Sequence, residues 1–549
     1  MTFSSTKMAL EIPPLIRSNR LYYGDNLTIM KNIPNSSVDL IYLDPPFNSQ
    51  RNYNLIYKKL TGQPVPEQEE AFCDAWEMDP EKEEMVRRMP IVFQEYGVDE
   101  SLVKFWQAWV AALRNTNPQL LAYLIYMSYR LFEMKRILNS RGSIYLHCDS
   151  NASHYMKVIM DGIFGHNNFR NEILWKRTTA HNTTTRRYGD ITDTILFYTK
   201  NDDYYFKSPR KERGDDYIAS FYRHADKEGR RYRLHQVERN AALGIRPNLI
   251  YEYKGYTPEY GWMMERPKLE ALDAKGRLYW SKKGRPQRKI YLDEVEQPRV
   301  GNLWDDIPPV HSQSDERLGY PTQKPIALLK RIISASCNEG GVVFDPFCGC
   351  GTAIYAAHLL NRKWIGCDIA ILAIRLVRDI LLKRYGLEED KDYKVRGIPR
   401  SVEAAQELFT QDPRQFQHWA VELALGFASA KFSGDRGIDG RIHFETNEGL
   451  KNMVLSVKGG KTPTPVWMRE LSGVVQQEED AKMGGLICME EPTKGMLDVV
   501  ARGGIYSYQE KDYHRLQIRT VQDLLDGKWF DTPSTIRTLG KSSQTIMPV

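Results

Sequence analysis

Two short stretches of this 549-residue sequence hold residue types that could act together on a flat ligand with an exocyclic amine. The first, Asp44-Pro45-Pro46-Phe47, follows an apolar run from Val38 to Leu43. Proline fixes its own φ and pushes the residue before it into an extended conformation, so the acid and the aromatic ring lie on a stiff corner. A carboxylate beside an aromatic face suits an amine-bearing base. Taken alone, however, such a stretch is more often a strand that ends in an Asp-Pro turn.

The second stretch, Asp345 to Thr352, lies between a predicted strand and a predicted helix. Gly349 and Gly351 permit a tight turn and a close approach to a ligand. The third glycine of the dinucleotide fingerprint is absent, so a pyrophosphate is not expected. Asp368, at the end of the next predicted strand, is placed to accept hydrogen bonds from ribose hydroxyls. The pattern favours S-adenosylmethionine, with Asp345 facing its cationic end directly or through water, over a generic turn.

Together, Asp44-Pro45-Pro46-Phe47 and Phe347-x-Gly349-x-Gly351 resemble the motifs of the amino-methylating DNA methyltransferases. Their order, with a basic segment and Thr322-Gln323-Lys324-Pro325 between them, is similar to the β class of that family. The resemblance covers about residues 20–385 and implies an α/β fold, a seven-stranded Rossmann-like methyltransferase sheet with permuted motif order. It implies S-adenosylmethionine as cofactor, and the cofactor-binding residues expected are Asp345, Phe347, Gly349, Gly351, Asp368, Thr322 and Lys324.

The resemblance also implies chemistry at the exocyclic amine of a base flipped out of duplex DNA. The lone pair of adenine N6 is delocalised into the ring, which makes the amine a poor nucleophile. Asp44 and the Pro45 carbonyl would each accept one amine hydrogen, Pro46 would stiffen the corner, and Phe47 would stack on the base. Within the family, Asp at the first position favours adenine N6 over cytosine N4. Cytosine N4 stays open as the alternative, and so does an RNA substrate.

Composition sets broad limits on the class of protein. Hydrophobic residues make up 42% and charged residues 27% of the chain, which is ordinary for a soluble protein. Seven scattered cysteines do not form a disulfide framework, and we expect a reducing environment. The sequence shows neither a signal peptide pattern nor an apolar run of membrane-spanning length, so we expect a cytoplasmic protein without a membrane partner.

The chain is expected to divide into six parts. Within them, residues 50–100 are predicted to be an irregular insertion, residues 101–138 a helix, and His147 a structural histidine. The basic segment, residues 201–300, carries an excess of six positive charges, the same as the whole chain. It also interleaves Tyr with Arg, which indicates either a solvated face or a nucleic-acid contact. The parts are an N-terminal arm (1–20), a catalytic half (21–199), a target-recognition region (200–300), a cofactor-binding half (301–385), a linker (386–399) and a C-terminal domain (400–549).

The C-terminal domain resembles the Mrr-like branch of the PD-(D/E)xK nucleases, which implies a smaller α/β restriction-endonuclease-like fold. In that branch an Asp binds Mg²⁺ and a strand-borne Lys orients the attacking water, and these positions correspond to Asp439 and Lys458. Ser456 stands where the branch has Glu or Gln, and a hydroxyl is a poorer Mg²⁺ ligand than a carboxylate. Glu422 or Asp435 could compensate.

Three alternatives therefore stay open for this domain: an active Mg²⁺-dependent nuclease, an inactive DNA-binding relic, and an unrelated domain. The first would make the chain a single-chain restriction–modification enzyme. The second would make it a modification or specificity subunit that needs a separate nuclease. In either case the expected partner is double-stranded DNA, together with a second copy of the chain or a restriction–modification partner.

Overall fold

The computed structural model describes residues 18–46, 76, 78–179, 186, 188–311, 313–318, 323–429, 437–447, 449–460 and 462–533. The chain forms two compact units, one comprising Met1–Lys207 with Asn302–Val549 and the other Ser208–Gly301. The predicted N-terminal arm lies almost entirely outside the described residues. Along the described parts of the chain, each helix is too short or too polar to cross a membrane.

The strands of the described residues alternate with helices along most of the chain. In chain order they are β1 (Asn19–Tyr23), β2 (Val38–Leu43), β3 (Leu138–Cys148), β4 (Phe169–Lys176), β5 (Thr192–Thr199), β6 (His224–Ala225), β7 (Arg231–Gln236), β8 (Leu278–Trp280), β9 (Pro286–Tyr291), β10 (Leu303–Trp304), β11 (Val342–Asp345), β12 (Lys363–Asp368), β13 (Tyr393–Arg396), β14 (Phe427–Ala428), β15 (Gly440–Thr446), β16 (Gly449–Lys458), β17 (Ala481–Cys488), β18 (Ile505–Tyr508), β19 (Lys511–His514) and β20 (Leu516–Thr520).

The helices are mostly two to five turns long, and a π-helical segment, Leu376–Leu382, follows one of them. In chain order they are α1 (Asn26–Lys31), α2 (Pro80–Glu95), α3 (Glu100–Thr116), α4 (Pro118–Ile137), α5 (Ser153–Phe164), α6 (Asp215–Phe221), α7 (Arg266–Ala274), α8 (Ile326–Ser336), α9 (Thr352–Leu359), α10 (Ile371–Arg375), α11 (Val402–Gln411), α12 (Pro413–Leu423), α13 (Pro465–Gln477), α14 (Lys494–Arg502) and α15 (Val521–Leu525).

The larger unit is built on a mixed sheet in the order β10-β4-β5-β3-β2-β11-β12-β1-β13, in which only β5 runs antiparallel to its neighbours. The α/β class is therefore confirmed. The expected count of seven strands was wrong, because a short strand is added at each edge. Strand β10 has two residues, too few to show a periodicity, and β13 alternates buried and exposed residues inside the stretch predicted to be a linker.

Strands β2 and β11 are parallel neighbours at the centre of this sheet, with Leu40 opposite Val343 and Ile41 opposite Phe344. The Asp39 side chain accepts a hydrogen bond from the Val342 N–H at 2.7 Å, which fixes the register. Because the carboxyl ends of parallel strands meet at one edge, this pairing brings together two motifs that lie 300 residues apart in sequence.

Two helix predictions for the first half of the chain needed correction. Part of the insertion predicted to be irregular is α2, which begins after the N-cap Asp79 and buries Val86, Met89, Val92 and Phe93. The charged residues between these positions hide the apolar stripe in the sequence. The single helix predicted over 101–138 is instead two helices, because Asn117 caps α4 and Pro118 occupies its first position.

The smaller unit, Ser208–Gly301, contains an antiparallel sheet in the order β6-β7-β9-β8 and a compact core around the fully buried Trp262. Several of its interleaved Tyr and Arg residues contact each other: the Arg233 guanidinium lies 5.6 Å from the ring centre of Tyr222, and Arg230 lies 4.2 Å from that of Tyr291. Part of the pattern noted in the sequence is therefore internal packing. Residues 282–285 are exposed.

The C-terminal residues form a second α/β sheet in the order β14-β15-β16-β17-β20. Strands β15 and β16 are antiparallel, β16, β17 and β20 are parallel, and α13 lies between β16 and β17 in the chain. These residues belong to the same compact unit as the large sheet. A Cβ on Gly24, just after β1, would lie 3.0 Å from the Gln415 Nε2 of α12, so the two sheets are in close contact through this helix.

Candidate active site

The acidic corner after β2 is held by a lysine from a distant part of the chain. The Lys324 Nζ lies 2.5 Å from the Asp44 Oδ2, and the two side chains are only 10% and 15% exposed. The other carboxylate oxygen, Oδ1, is buried and accepts no hydrogen bond from any described residue. Pro45 is buried and Pro46 is exposed. The corner thus presents a buried hydrogen-bond acceptor that the described part of the chain leaves unused.

The segment that carries the lysine, residues 323–325, is tied to residues 316–318 by hydrogen bonds. The Gln323 side chain accepts a hydrogen bond from the Leu318 N–H at 2.7 Å and donates one to the Glu316 carbonyl at 2.6 Å. The Glu316 carboxylate accepts from the Ile326 N–H at 3.1 Å, which satisfies an otherwise open donor at the start of α8. Lys324 was expected at the cofactor; the structure places its ammonium on Asp44.

Asp345, at the end of β11, is a buried carboxylate beside other acids. Its Oδ1 accepts a hydrogen bond from the Phe347 N–H at 3.1 Å. Burial raises the pKa of Asp345 well above its usual range, and the charges of Asp44 and Asp368 raise it further, against the opposing effect of that hydrogen bond and of Lys324. A buried acid of this kind is stabilised as an anion by a cation placed next to it.

Asp368, at the end of β12, orients the glycine turn. Its two carboxylate oxygens accept hydrogen bonds from the Gly349 N–H at 2.8 Å and the Ala370 N–H at 2.9 Å. Burial raises the pKa of Asp368, and these backbone hydrogen bonds oppose that rise. Each oxygen keeps a second lone pair for a ligand hydroxyl.

The glycines of the turn were expected to allow a tight turn and the approach of a ligand, and the structure adds packing as a further reason. Gly349 and Gly351 have φ values of 47° and 80°, in the left-handed region. A Cβ on Gly351 would lie 2.8 Å from the Val377 Cγ2 and 2.9 Å from the Leu381 Cδ2. Gly351 is therefore required by the packing of the turn against the π-helical segment, not only by the approach of a ligand. Phe347, beside the turn, is half-buried against the core.

Arg130, a buried arginine that the sequence analysis did not single out, supports the start of the glycine turn through Asn26. The Asn26 Nδ2 donates a hydrogen bond to the Pro346 carbonyl at 2.8 Å, and the Arg130 Nε donates to the Asn26 Oδ1 at 2.6 Å. Arg130 also forms an ion pair with Asp25. These contacts join residues more than 100 positions apart in the chain, so no local pattern could have indicated them.

His147 lies fully buried within a hydrogen-bonded chain beside the acidic corner. Its Nδ1 is 3.0 Å from the Tyr42 hydroxyl and its Nε2 is 3.0 Å from the Asp193 Oδ2. Burial favours a higher pKa for Asp193, but the hydrogen bond from His147 and the charges of His147, Lys324 and Arg177 leave it lowered. This geometry fits the structural histidine that the sequence predicted.

Two residues predicted for this site, Phe47 and Thr322, lie outside the described residues. Among the others, the described structure gathers two groups at the carboxyl edge of the central strands. The acidic corner contributes Asp44 with Lys324, and the glycine turn contributes Asp345 and Asp368. The charges of Asp44, Asp368 and Lys324 all act on the pKa of Asp345, which indicates that the two groups are close to each other.

Comparison with known proteins identifies the family to which this arrangement belongs. The DNA methylase family of the N6/N4 type matches residues 38–379, which include both motifs and more than half of the chain. The chain is a member of the N6/N4 DNA methylase family.

Individual methylase relatives match parts of the chain. Type II methyltransferase M.EcaI of Enterobacter cloacae is 36% identical over 269 residues, 48% of this chain and 58% of that protein. The Mod subunit of the type III enzyme StyLTI of Salmonella typhimurium is 26% identical over 361 residues, 63% of this chain and 50% of that protein. This methylase chain thus spans between half and three fifths of the length of these two relatives. DNA adenine methyltransferase YhdJ of Escherichia coli is 24% identical over 378 residues, 68% of this chain and 87% of that protein.

The C-terminal part of the methylase chain brings together some of the residues predicted for a nuclease site. The Asp439 Oδ2 accepts a hydrogen bond from the Val457 N–H at 2.6 Å, and its backbone N–H donates to the Leu455 carbonyl. Asp439 therefore lies at the end of β16, next to buried Ser456 and half-buried Lys458.

The described donors in this part of the chain make up only part of a Mg²⁺ centre. The parts of the chain that the structure describes contain no group of three or more His, Cys, Asp or Glu side chains suited to a metal ion, and Asp435 lies outside them. Glu422 is on α12, and its charge adds to burial in raising the pKa of Tyr23 on the large sheet. Among the described residues, the Mg²⁺ expected at Asp439 would thus have the Asp439 carboxylate as a ligand but no complete set of ligands.

Proposed function

We propose that this chain transfers a methyl group from S-adenosylmethionine to the N6 amine of an adenine flipped out of duplex DNA. The observation that carries the proposal is the Asp44 Oδ1, a buried acceptor with no described partner at the edge that also holds the glycine turn. An amine hydrogen is the kind of donor that this oxygen lacks. Membership of the N6/N4 DNA methylase family supports the same reaction class.

The residues of the glycine turn fit S-adenosylmethionine as the cofactor. When bound, the cofactor supplies an activated methyl group on a positively charged sulfur. The Asp368 carboxylate, already oriented by two backbone N–H groups, would accept the ribose hydroxyls. Asp345 would meet the cationic end of the cofactor, because a buried carboxylate with a raised pKa gains most from a neighbouring positive charge.

The acidic corner would orient the amine. The Asp44 Oδ1 and the Pro45 carbonyl would each accept one amine hydrogen, which turns the nitrogen lone pair away from them and toward the methyl donor. Fixed geometry of this kind can contribute up to about 7–11 kcal/mol to a two-substrate reaction. Phe47 would stack on the flipped base, offsetting part of the unstacking cost at about 1–3 kcal/mol.

Adenine N6 is proposed over cytosine N4 because the first residue of the acidic motif is Asp. The relative YhdJ, named a DNA adenine methyltransferase, supports this choice. The unit Ser208–Gly301, with the exposed basic run at 282–285, is the proposed target-recognition region, since exposed Lys and Arg neutralise phosphates. Cytosine N4 is the alternative substrate.

A methyl-transfer assay with purified protein tests the proposal. Wild-type protein should transfer labelled methyl groups from S-adenosylmethionine to unmethylated duplex DNA. Asp44→Ala should reduce the rate at least 100-fold while leaving cofactor binding within about threefold, because Asp44 is proposed to hold the amine. Equal transfer by wild type and Asp44→Ala would contradict the proposal.

Mg²⁺-dependent cleavage of DNA by the C-terminal part is a second candidate function. It is favoured by the hydrogen bond that holds Asp439 at the end of β16, beside Lys458. No step is assigned to a metal ion, because the described donors do not form a complete ligand set. The test is incubation of the protein with Mg²⁺ and unmethylated DNA: cutting that Lys458→Ala abolishes supports the candidate, and intact DNA rejects it.

A further inference from the structure

We propose that Lys324 positions Asp44 as the acceptor for the target amine and is not a ligand of the cofactor. This inference rests on the function proposed above and assigns Lys324 a role different from the one expected from the sequence. It follows from the contact between the lysine and Asp44, from the charges around this pair and from the hydrogen bonds that flank Lys324.

The first step concerns geometry. A carboxylate that orients an amine must present one oxygen at a fixed place. The Lys324 ammonium, 2.5 Å from the Asp44 Oδ2, holds one oxygen, so rotation of the carboxylate would break a shielded ion pair. Oδ1 is thereby left as the buried acceptor without a described partner. Hydrogen bonds of Gln323 and Glu316 hold the chain on both sides of Lys324, so the lysine reaches Asp44 from a fixed point of the backbone.

The second step concerns charge. Among the described residues, the charge of Asp44 raises the pKa of Tyr42 on its own strand, of Cys148 at the end of β3 and of Asp345 at the end of β11. The charge of the Lys324 ammonium opposes the rise in the pKa of Asp345. Together with His147 and Arg177 it also lowers the pKa of Asp193, so the ammonium acts on several acids around Asp44.

The third step follows from the first two. Without the ammonium, the Asp44 Oδ2 would lose its shielded partner, and the carboxylate would no longer be held in one rotational position by that ion pair. The buried acceptor Oδ1 would then present itself to the amine at a less well defined place, and misplacement of a reacting group slows a two-substrate reaction. Lys324 thus fixes the place of the Asp44 acceptor, as a positioning residue that acts through its neighbour.

Three variants separate this role from cofactor binding. Lys324→Met removes the charge and keeps the length, Lys324→Arg keeps the charge, and Lys330→Met on the following helix, α8, is a control that removes another ammonium. Calorimetric titration with S-adenosylmethionine should give Lys324→Met a dissociation constant within about threefold of wild type. Single-turnover methylation at saturating cofactor should be slower in Lys324→Met by roughly 10- to 100-fold, because the Asp44 acceptor is less well placed. Lys324→Arg should restore most of that rate, and Lys330→Met should match wild type in both measurements.

A third measurement does not depend on activity. Lys324→Met leaves the shielded Asp44 carboxylate without its ammonium, so the variant should unfold at a lower temperature than wild type. In an Asp44→Asn background the same change should cost clearly less, because the two substitutions remove one ion pair. Lys330→Met should cost the same in both backgrounds.

The outcomes are distinct. A tenfold weaker cofactor affinity with an unchanged single-turnover rate would overturn the inference and make Lys324 a cofactor ligand. Equal losses of stability from Lys324→Met in the wild-type and Asp44→Asn backgrounds would also overturn it. If wild-type protein transfers no methyl group, the proposed function fails, whereas a smaller loss of stability in the Asp44→Asn background would still support the pairing of Lys324 with Asp44.

Discussion

At the scale of single residues, the proposed site contains acids whose burial costs stability. Asp44 and Asp345 are shielded from water, and one ammonium, that of Lys324, acts on both. Acids in such surroundings cost stability when they are charged and not fully compensated. We propose that ligands bring the missing positive charge or hydrogen-bond donors to the site.

This cost can be measured at Asp345. Because burial raises its folded-state pKa above the ordinary value of about 4, the charged form is destabilising as the pH rises from there to the raised value. Asp345→Asn keeps the oxygen that accepts from the Phe347 N–H and removes the charge. The variant should therefore unfold at a higher temperature than wild type at pH 8.

The gain should shrink as the pH falls to 5, and the variant should bind S-adenosylmethionine more weakly. Glu339→Gln, an exposed glutamate before β11, is the control and should show neither effect. Thermal unfolding at pH 5, 6.5 and 8 with a cofactor titration checks both. A variant less stable than wild type at pH 8 would show that the Asp345 anion is already compensated within the protein.

At the scale of elements, the central claim depends on β2 and β11 being parallel neighbours. The strands and the glycine turn could be predicted from the sequence, because buried apolar runs bounded by Asp, Pro and Gly are local patterns. The Lys324–Asp44 pair and the Arg130–Asn26–Pro346 contacts could not, since they join residues between 100 and 330 positions apart. The edge strands β10 and β13 were missed because pairing with a neighbour, not periodicity, defines such short segments.

The contact between the glycine turn and the π-helical segment predicts a specific stability effect. Gly351→Ala should cost roughly 2–4 kcal/mol, about 1–2 for the left-handed backbone and the rest for the contact with Val377. Gly340→Ala is a matched control, since Gly340 has a φ of 76° and open space around it, and should cost only the backbone part.

Thermal unfolding midpoints of the two variants, measured side by side, separate the contributions. Gly351→Ala should unfold at the lower temperature. Equal midpoints would mean that Val377 and Leu381 move aside freely, and that the conformational need alone explains the glycine.

At the scale of the whole molecule, the chain combines two described sheets in one compact unit and a separate unit at Ser208–Gly301. The methylase motifs and their supports all belong to the larger unit. The C-terminal sheet contacts the end of β1 through α12 and carries Asp439 and Lys458 on its own strands. The proposed chemistry and the proposed choice of target sequence are thus assigned to different units.

The most direct test of the central claim is a map of modified bases, at single-nucleotide resolution, in the DNA of a methylation-free host that expresses the chain. We predict N6-methyladenine at one recurring sequence, and its disappearance from the DNA of cells that express Asp44→Ala instead. N4-methylcytosine at a recurring sequence would contradict the assignment of the amine to adenine. DNA without any modified base in cells that contain the folded protein would contradict the proposed function itself.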